Sequence, residues 1–245
     1  MIDKIKNAFG IRNSQSYIEH LRSLGMKIGN NVRFFGNVKD IRIDETRPSL
    51  VTIGDNVMIV APFCILTHGY EWFVFKNKYK KMLGSSGKVN IGNNIYFGRG
   101  VTITKGVTIG DNVVVGASSL VNKSLSDDGV YAGIPCKKIY DLDDFFKIRE
   151  SKQLEEAKEY AISIKERFNR QPRPEDFREF FYLFLSRKDS SIKEFNNNIR
   201  KKLLMEKKPV ITVESQLGEA YESFLNSKPI FSSFDEFLEH CGLKE

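Results

Sequence analysis

The chain has 245 residues, 41% of them hydrophobic and 28% charged, with a formal net charge of +7. This balance excludes disordered and collagen-like chains, and no stretch approaches the about 18 apolar residues of a membrane span. Cys64, Cys136 and Cys241 cannot all pair and lack metal-ligand spacing, so a reducing, cytoplasmic setting is expected.

The opening MIDKIKNAFG interrupts its apolar residues with charge and reads as no signal peptide. Residues 1–24 are expected to form a helical segment, with His20 in the short amphipathic stretch IEHLRSLG. The charge is unevenly placed: residues 1–140 hold 19 Lys and Arg against 10 Asp and Glu, whereas residues 141–245 hold 19 against 21. The positive excess therefore sits in the first part, where a phosphorylated or acidic small partner is as good a reading as nucleic acid.

From residue 25 to about 140 the sequence repeats with a period of six. Aliphatic or aromatic residues fall at Ile91, Phe97, Ile103, Ile109, Val115 and Val121. Four residues on in each unit stand Ile95, Val101, Val107, Val113, Ser119 and Leu125. A period of six fits neither a helix nor a simple strand. It does fit strands of about four residues joined by two-residue corners, each unit sending two side chains inward. Asn93-Asn94 and Asp111-Asn112 suit corners that need left-handed backbone. Three corners close a triangular coil of 18 residues. An earlier block, Ile53, Ile59 and Ile65, is out of phase with Ile91, so residues 69–90 must leave the coil. A smaller slip is expected near Asp44–Ser49.

The excursion GYEWFVFKNKYKKMLGSSGK mixes aromatics with lysines. It lacks a nucleic-acid fold signature; it reads either as a lid over a site, one complementary to an anionic partner, or as a plain surface loop. His68 stands where the repeat gives way to it. From spacing alone His68 either caps the coil or works at a rim, where sites tend to lie. His20 and His240 read as surface or packing residues.

After Ile139 the spacing turns helical over residues 141–169. Glu175–Arg187 then packs Phe177, Phe180, Phe181, Leu183, Phe184 and Leu185 into thirteen residues, too apolar for a free surface helix. Residues 141–245 are read as a helical domain docked on the coil, a neighbouring subunit or a partner, with no catalytic constellation of its own.

The runs IGDNVMIVAPFCILTH and IGNNIYFGRGVTITKGVTIGDNVVVGASSLVNK, closed by YAGIPCKKI, resemble the hexapeptide-repeat acyltransferases. Within that family they look most like the maltose- and galactoside-acetyltransferase branch that O-acetylates sugars and polysaccharides. The resemblance covers about residues 26–140. It implies a mainly β fold: a left-handed parallel β-helix with a short N-terminal helix and a C-terminal α-helical domain. It further implies a homotrimer with sites between subunits, acetyl-CoA as co-substrate, a carbohydrate acceptor and no metal.

The same resemblance makes His68 the catalytic base, which suits imidazole. It places the donor along the later coils, at Gly98, Gly116, Ala117 and Ser118, with Asn122, Lys123 and Lys137 near its nucleotide end. Relatives often carry Asp directly after this histidine; here Gly69 follows, so the group orienting the ring is either a carboxylate from elsewhere, for which Glu71 is a candidate, or a backbone carbonyl. Trp72 could stack on a sugar or on pantetheine, or anchor the loop. Tyr96 stands where many relatives have Trp, and Asn37 and Asp44 are the candidate acceptor-binding amide and carboxylate. N-acetylation of an amino sugar is a close variant. A β-helix carbonic anhydrase would need three zinc ligands, which one coil histidine does not supply. A different class of reading is a non-enzymatic trimeric scaffold.

Overall fold

The computed structural model describes residues 13–205 and 210–244. The expected N-terminal helical segment therefore lies partly outside the described residues; within them a helix, α1, spans Ser14–Ser23. Asn13 caps it by accepting from the backbone N–H of Ser16 at 2.7 Å. Its inner face, Tyr17, Ile18 and Leu21, is buried, and Tyr17 packs on Phe34 of the first coil. The chain divides into two compact units, 1–147 and 148–245.

The first unit is a parallel β-helix with three sheets. One stacks β1 (Lys27–Ile28), β4 (Val51–Ile53), β7 (Val89–Ile91) and β10 (Thr108–Ile109). The second stacks β2 (Arg33–Phe35), β5 (Val57–Val60), β8 (Ile95–Phe97), β11 (Val113–Val115), β13 (Gly129–Ala132) and β14 (Lys137–Asp141). The third stacks β3 (Ile41–Ile43), β6 (Phe63–Ile65), β9 (Val101–Ile103) and β12 (Leu120–Val121). All pairs are parallel except β13 with β14. Ile95 pairs with Val113 and Ile103 with Val121, so one regular turn takes 18 residues.

All twelve repeat positions from Ile91 to Leu125 are buried. The single polar one, Ser119, is satisfied: its hydroxyl donates to the Gly116 carbonyl at 2.7 Å and accepts from the Gly133 N–H at 3.1 Å. The corners obey the same economy. Asn56, Asn94 and Asn112 all adopt positive φ, and the side-chain amide of Asn94 donates to that of Asn112 in the next coil at 2.7 Å. The two coils flanking the excursion keep their register, Val57 pairing with Ile95 and Phe63 with Val101. The excursion itself contains a helix, α2 (Trp72–Tyr79), with no buried residue, and the coil resumes at Val89, slightly before the expected residue 90. The expected slip near Asp44–Ser49 holds a turn and the short 3-10 helix Pro48–Leu50.

Helix α3 (Leu142–Phe168) carries the chain from the first unit into the second. The second unit also contains α4 (Asp189–Met205), α5 (Val213–Leu217), α6 (Tyr221–Leu225) and α7 (Phe234–His240). Its core centres on Phe177, which is fully buried and ringed by Tyr160, Phe184, Phe234 and Phe237. The apolar run around it is not a regular helix. Leu183, Phe184 and Leu185 are all buried in succession, which no single helix face permits, and the segment instead makes 3-10 turns at Pro174–Asp176 and Phe181–Leu183. The carboxylate of Asp176 is buried within this unit and accepts from Arg170 and Lys202, both at 2.8 Å. The fold is mainly β in the coil of the first unit, with helices making up about 41% of the described residues.

Candidate active site

Stacking of the third sheet places the residues that follow β3, β6, β9 and β12 in one column along a corner of the prism. Ile43 pairs with Ile65, Ile65 with Ile103 and Ile103 with Val121. Asp44, Thr67, His68, Lys105 and the Asn122-Lys123 pair therefore share that corner. Successive coils lie about 4.8 Å apart, which puts Lys123 about two coils from His68.

His68 Nδ1 lies 2.6 Å from Asp44 Oδ2. Both side chains are largely buried, 14% and 7% exposed. The same Oδ2 accepts from the backbone N–H and the hydroxyl of Thr67, and Oδ1 accepts from the N–H and hydroxyl of Thr46 at 3.1 and 2.6 Å. Burial opposes the charge on Asp44, but the hydrogen bonds from Thr46, Thr67 and His68 outweigh it and hold this carboxyl well below the usual carboxylate range. A carboxylate only accepts. Nδ1 of a neutral His68 therefore carries the hydrogen, and Nε2 keeps its lone pair free to take a proton.

The carboxylate on the imidazole is thus Asp44, read from sequence as an acceptor-binding group, and not Glu71. Glu71 is engaged elsewhere: it accepts from Lys105 Nζ at 2.6 Å, and the hydrogen bonds from Lys105 and then Ser85 hold its carboxyl down to about 2. Lys105 also bonds the Ser85 hydroxyl. Gly69 donates to the Ser85 carbonyl and Gly87 to the Thr67 carbonyl, so both ends of the excursion are tied down beside His68. The ring of Tyr70 meets that of His68 edge-on, centroids 4.9 Å apart, and Trp72 follows at 6.2 Å from Tyr70.

The remaining expected residues lie elsewhere on the coil. Asn37, Gly98, Gly116, Ala117 and Ser118 line a second corner, the one that follows the second sheet. Asn37 is exposed there and accepts from the Lys39 N–H at 3.1 Å, capping a short 3-10 helix. Tyr96, 41% exposed, points outward from β8 on the sheet leading to that corner. A side chain at Gly98 would meet the backbone nitrogen of Ala117 at 2.7 Å, so close coil stacking by itself requires this glycine. Ala117 and Ser118 are exposed, as are Asn122, Lys123 and Lys137, and neither lysine forms an ion pair among the described residues. One protomer does not bring the two corners together. Sequence reasoning missed Thr46, which bonds Asp44 from two residues on, and Thr67 and Lys105, whose roles depend on stacking between coils and leave no local signal. Among the described residues no group of three or more His, Cys, Asp or Glu is placed to hold a metal, and no helix is long and apolar enough to cross a membrane.

No model of a known protein family matches the sequence. The chain is 36% identical over 139 residues to protein CapG of Staphylococcus aureus, a match covering 57% of this chain and 77% of that one. It is 34% identical over 142 residues to the galactoside O-acetyltransferase of Escherichia coli K12, covering 57% and 68%. Among solved structures, a galactoside acetyltransferase in complex with coenzyme A is 33% identical, covering 54% of this chain and 73% of that one with a TM-score of 0.38. With its six-residue coil and its likeness to the Staphylococcus aureus and Escherichia coli proteins, the chain belongs to the hexapeptide-repeat acetyltransferases and is an acyltransferase built on a parallel β-helix.

Proposed function

We propose that the chain transfers acetyl from acetyl-CoA to a hydroxyl of a sugar or surface polysaccharide, with His68 as general base and Asp44 as the residue that positions it. The observation that carries this reading is the 2.6 Å contact between His68 Nδ1 and Asp44. The name of the Escherichia coli relative, a galactoside O-acetyltransferase, supports a sugar hydroxyl as acceptor. In this reading Nε2 takes the proton of the acceptor hydroxyl while its oxygen bonds to the acetyl carbon, and gives the proton to the sulfur as the carbon–sulfur bond breaks. Asp44 keeps Nδ1–H in place and stabilises the imidazolium formed between the two transfers. No covalent acyl-enzyme is needed.

The donor side suits coenzyme A. Ala117 and Ser118 offer small exposed groups at a corner, and the unpaired Lys123 and Lys137 offer charge for phosphates. Because His68 and the Gly98–Ser118 corner lie on different edges of one prism, a complete site needs the second corner of a neighbouring subunit. A homotrimer supplies it.

The test follows thiol release from acetyl-CoA with a panel of sugars and oligosaccharides, for the native chain and for His68→Ala. Release that depends on the acceptor and is lost in the variant is expected; equal release from both would overturn the role of His68. Sedimentation mass distinguishes a trimer from a monomer.

A further inference from the structure

Residues 69–88 contain five lysines, Lys76, Lys78, Lys80, Lys81 and Lys88, and one acid, Glu71. Glu71 is already taken by Lys105, and among the described residues none of the five lysines lies within ion-pair distance of a carboxylate. The excursion therefore presents uncompensated positive charge to solvent, in a family whose reaction needs no charge on the acceptor.

An aromatic row runs from the base into this charge. Tyr70 meets His68 edge-on, Trp72 follows Tyr70, and Phe73 follows Trp72 with centroids 6.2 Å apart. Lys76 sits over both Trp72 and Phe73, 5.1 and 4.8 Å from their centroids. Tyr70 is 67% and Phe73 58% exposed. Lone solvated lysines need no such setting. Exposed aromatic rings that accept the apolar faces of successive sugar rings, interleaved with ammonium groups that meet an acid, are what a charged oligosaccharide requires.

We infer that the excursion 69–88 is the acceptor-selecting element of this enzyme and that its acceptor is an acidic glycan, carrying carboxylates along a chain of several sugars that lies across Tyr70, Trp72 and the α2 lysines. This names the substrate class of the proposed site and rests on that reading for the position of the reacting hydroxyl, though not for the binding itself.

Binding is measured without acetyl-CoA, by affinity electrophoresis and calorimetry, using polygalacturonate fragments and the same fragments with their carboxylates methyl-esterified. The native chain is compared with Lys76→Gln/Lys78→Gln/Lys81→Gln. Lys80 is retained because it closes α2 with positive φ and donates to the Asn77 carbonyl at 2.9 Å. The native chain should prefer the free acid, increasingly so as salt is lowered. The variant should lose affinity for it about tenfold, the combined effect of three exposed charge contacts each worth a few-fold. Equal binding of acid and ester by the native chain overturns the inference, as does native-like binding by the variant. A parallel loss for acetyl-CoA also overturns it, since the lysines would then serve the donor phosphates. Failure of the His68→Ala test leaves these binding results unaffected, so the two readings fail separately.

Discussion

Asp44→Asn separates positioning of the base from binding of the acceptor, the two roles open to this residue. The native carboxylate divides its oxygens between Thr46 on one side and Thr67 with His68 on the other. An amide has one oxygen. If it faces Thr46, its NH2 group meets the Thr67 N–H and turns His68 to the tautomer with hydrogen on Nε2, which cannot take a proton. If it faces Thr67, the NH2 group meets the Thr46 N–H. Either way a partly buried donor is left opposed, and hydrogen bonds to a charged group are worth about 1.5–3 kcal/mol each, so a stability loss of about 2–3 kcal/mol is expected in a denaturant melt. The rate should fall by about 10²–10⁴-fold, the share a positioned general base contributes. The decisive readout is the split of steady-state constants: a positioning role lowers kcat with KM little changed, whereas loss of a sugar contact raises KM. A variant within threefold of the native kcat, or altered in KM alone, would refute the assignment.

Gly98→Ala should destabilise the coil by about 1–3 kcal/mol, because the added carbon meets Ala117 backbone and not a side chain that can swing away; thermal unfolding reports it. Glu71→Gln removes the pairing with Lys105 that ties the excursion beside His68. The melting temperature should stay the same while limited proteolysis within residues 70–84 accelerates. In the helical unit the Asp176 carboxyl is lowered to about 2: burial raises it, but Arg170 and Lys202 prevail. A depressed folded value means stability present above the unfolded value near 4 and lost as pH falls toward 2. The loss is about 2 kcal/mol, and Asp176→Asn should abolish that acid dependence.

The coil was legible in the sequence because each six-residue unit commits two side chains to the interior, and burial enforces that rule at every turn; even Ser119 marks a place where two backbone groups need a partner. The corners were legible for a related reason, since Asn94 and Asn112 adopt the backbone that few residues tolerate. The Asp44–His68 pair was not. Its partners lie 24 residues apart across an irregular turn, and only the stacking of β3 on β6 brings them into contact. Helix α2 was missed because it buries nothing and so leaves no apolar stripe. The Phe177 segment looked helical in composition, yet it buries Leu183, Phe184 and Leu185 in succession, which one helix face cannot do, and makes 3-10 turns instead.

A stack of parallel coils has no inherent length: each open end offers unpaired strands and an aliphatic interior on which another coil, or another molecule, could seat. The two ends are closed by different devices. At the start α1 sets Tyr17 against Phe34 and joins the interior with Ile18 and Leu21, and at the finish β14 runs antiparallel to β13 and breaks the ladder's direction. Together they make a potentially unlimited fibre into a particle of fixed size. Removing the apolar face of α1 is therefore a route to filaments as much as to unfolding.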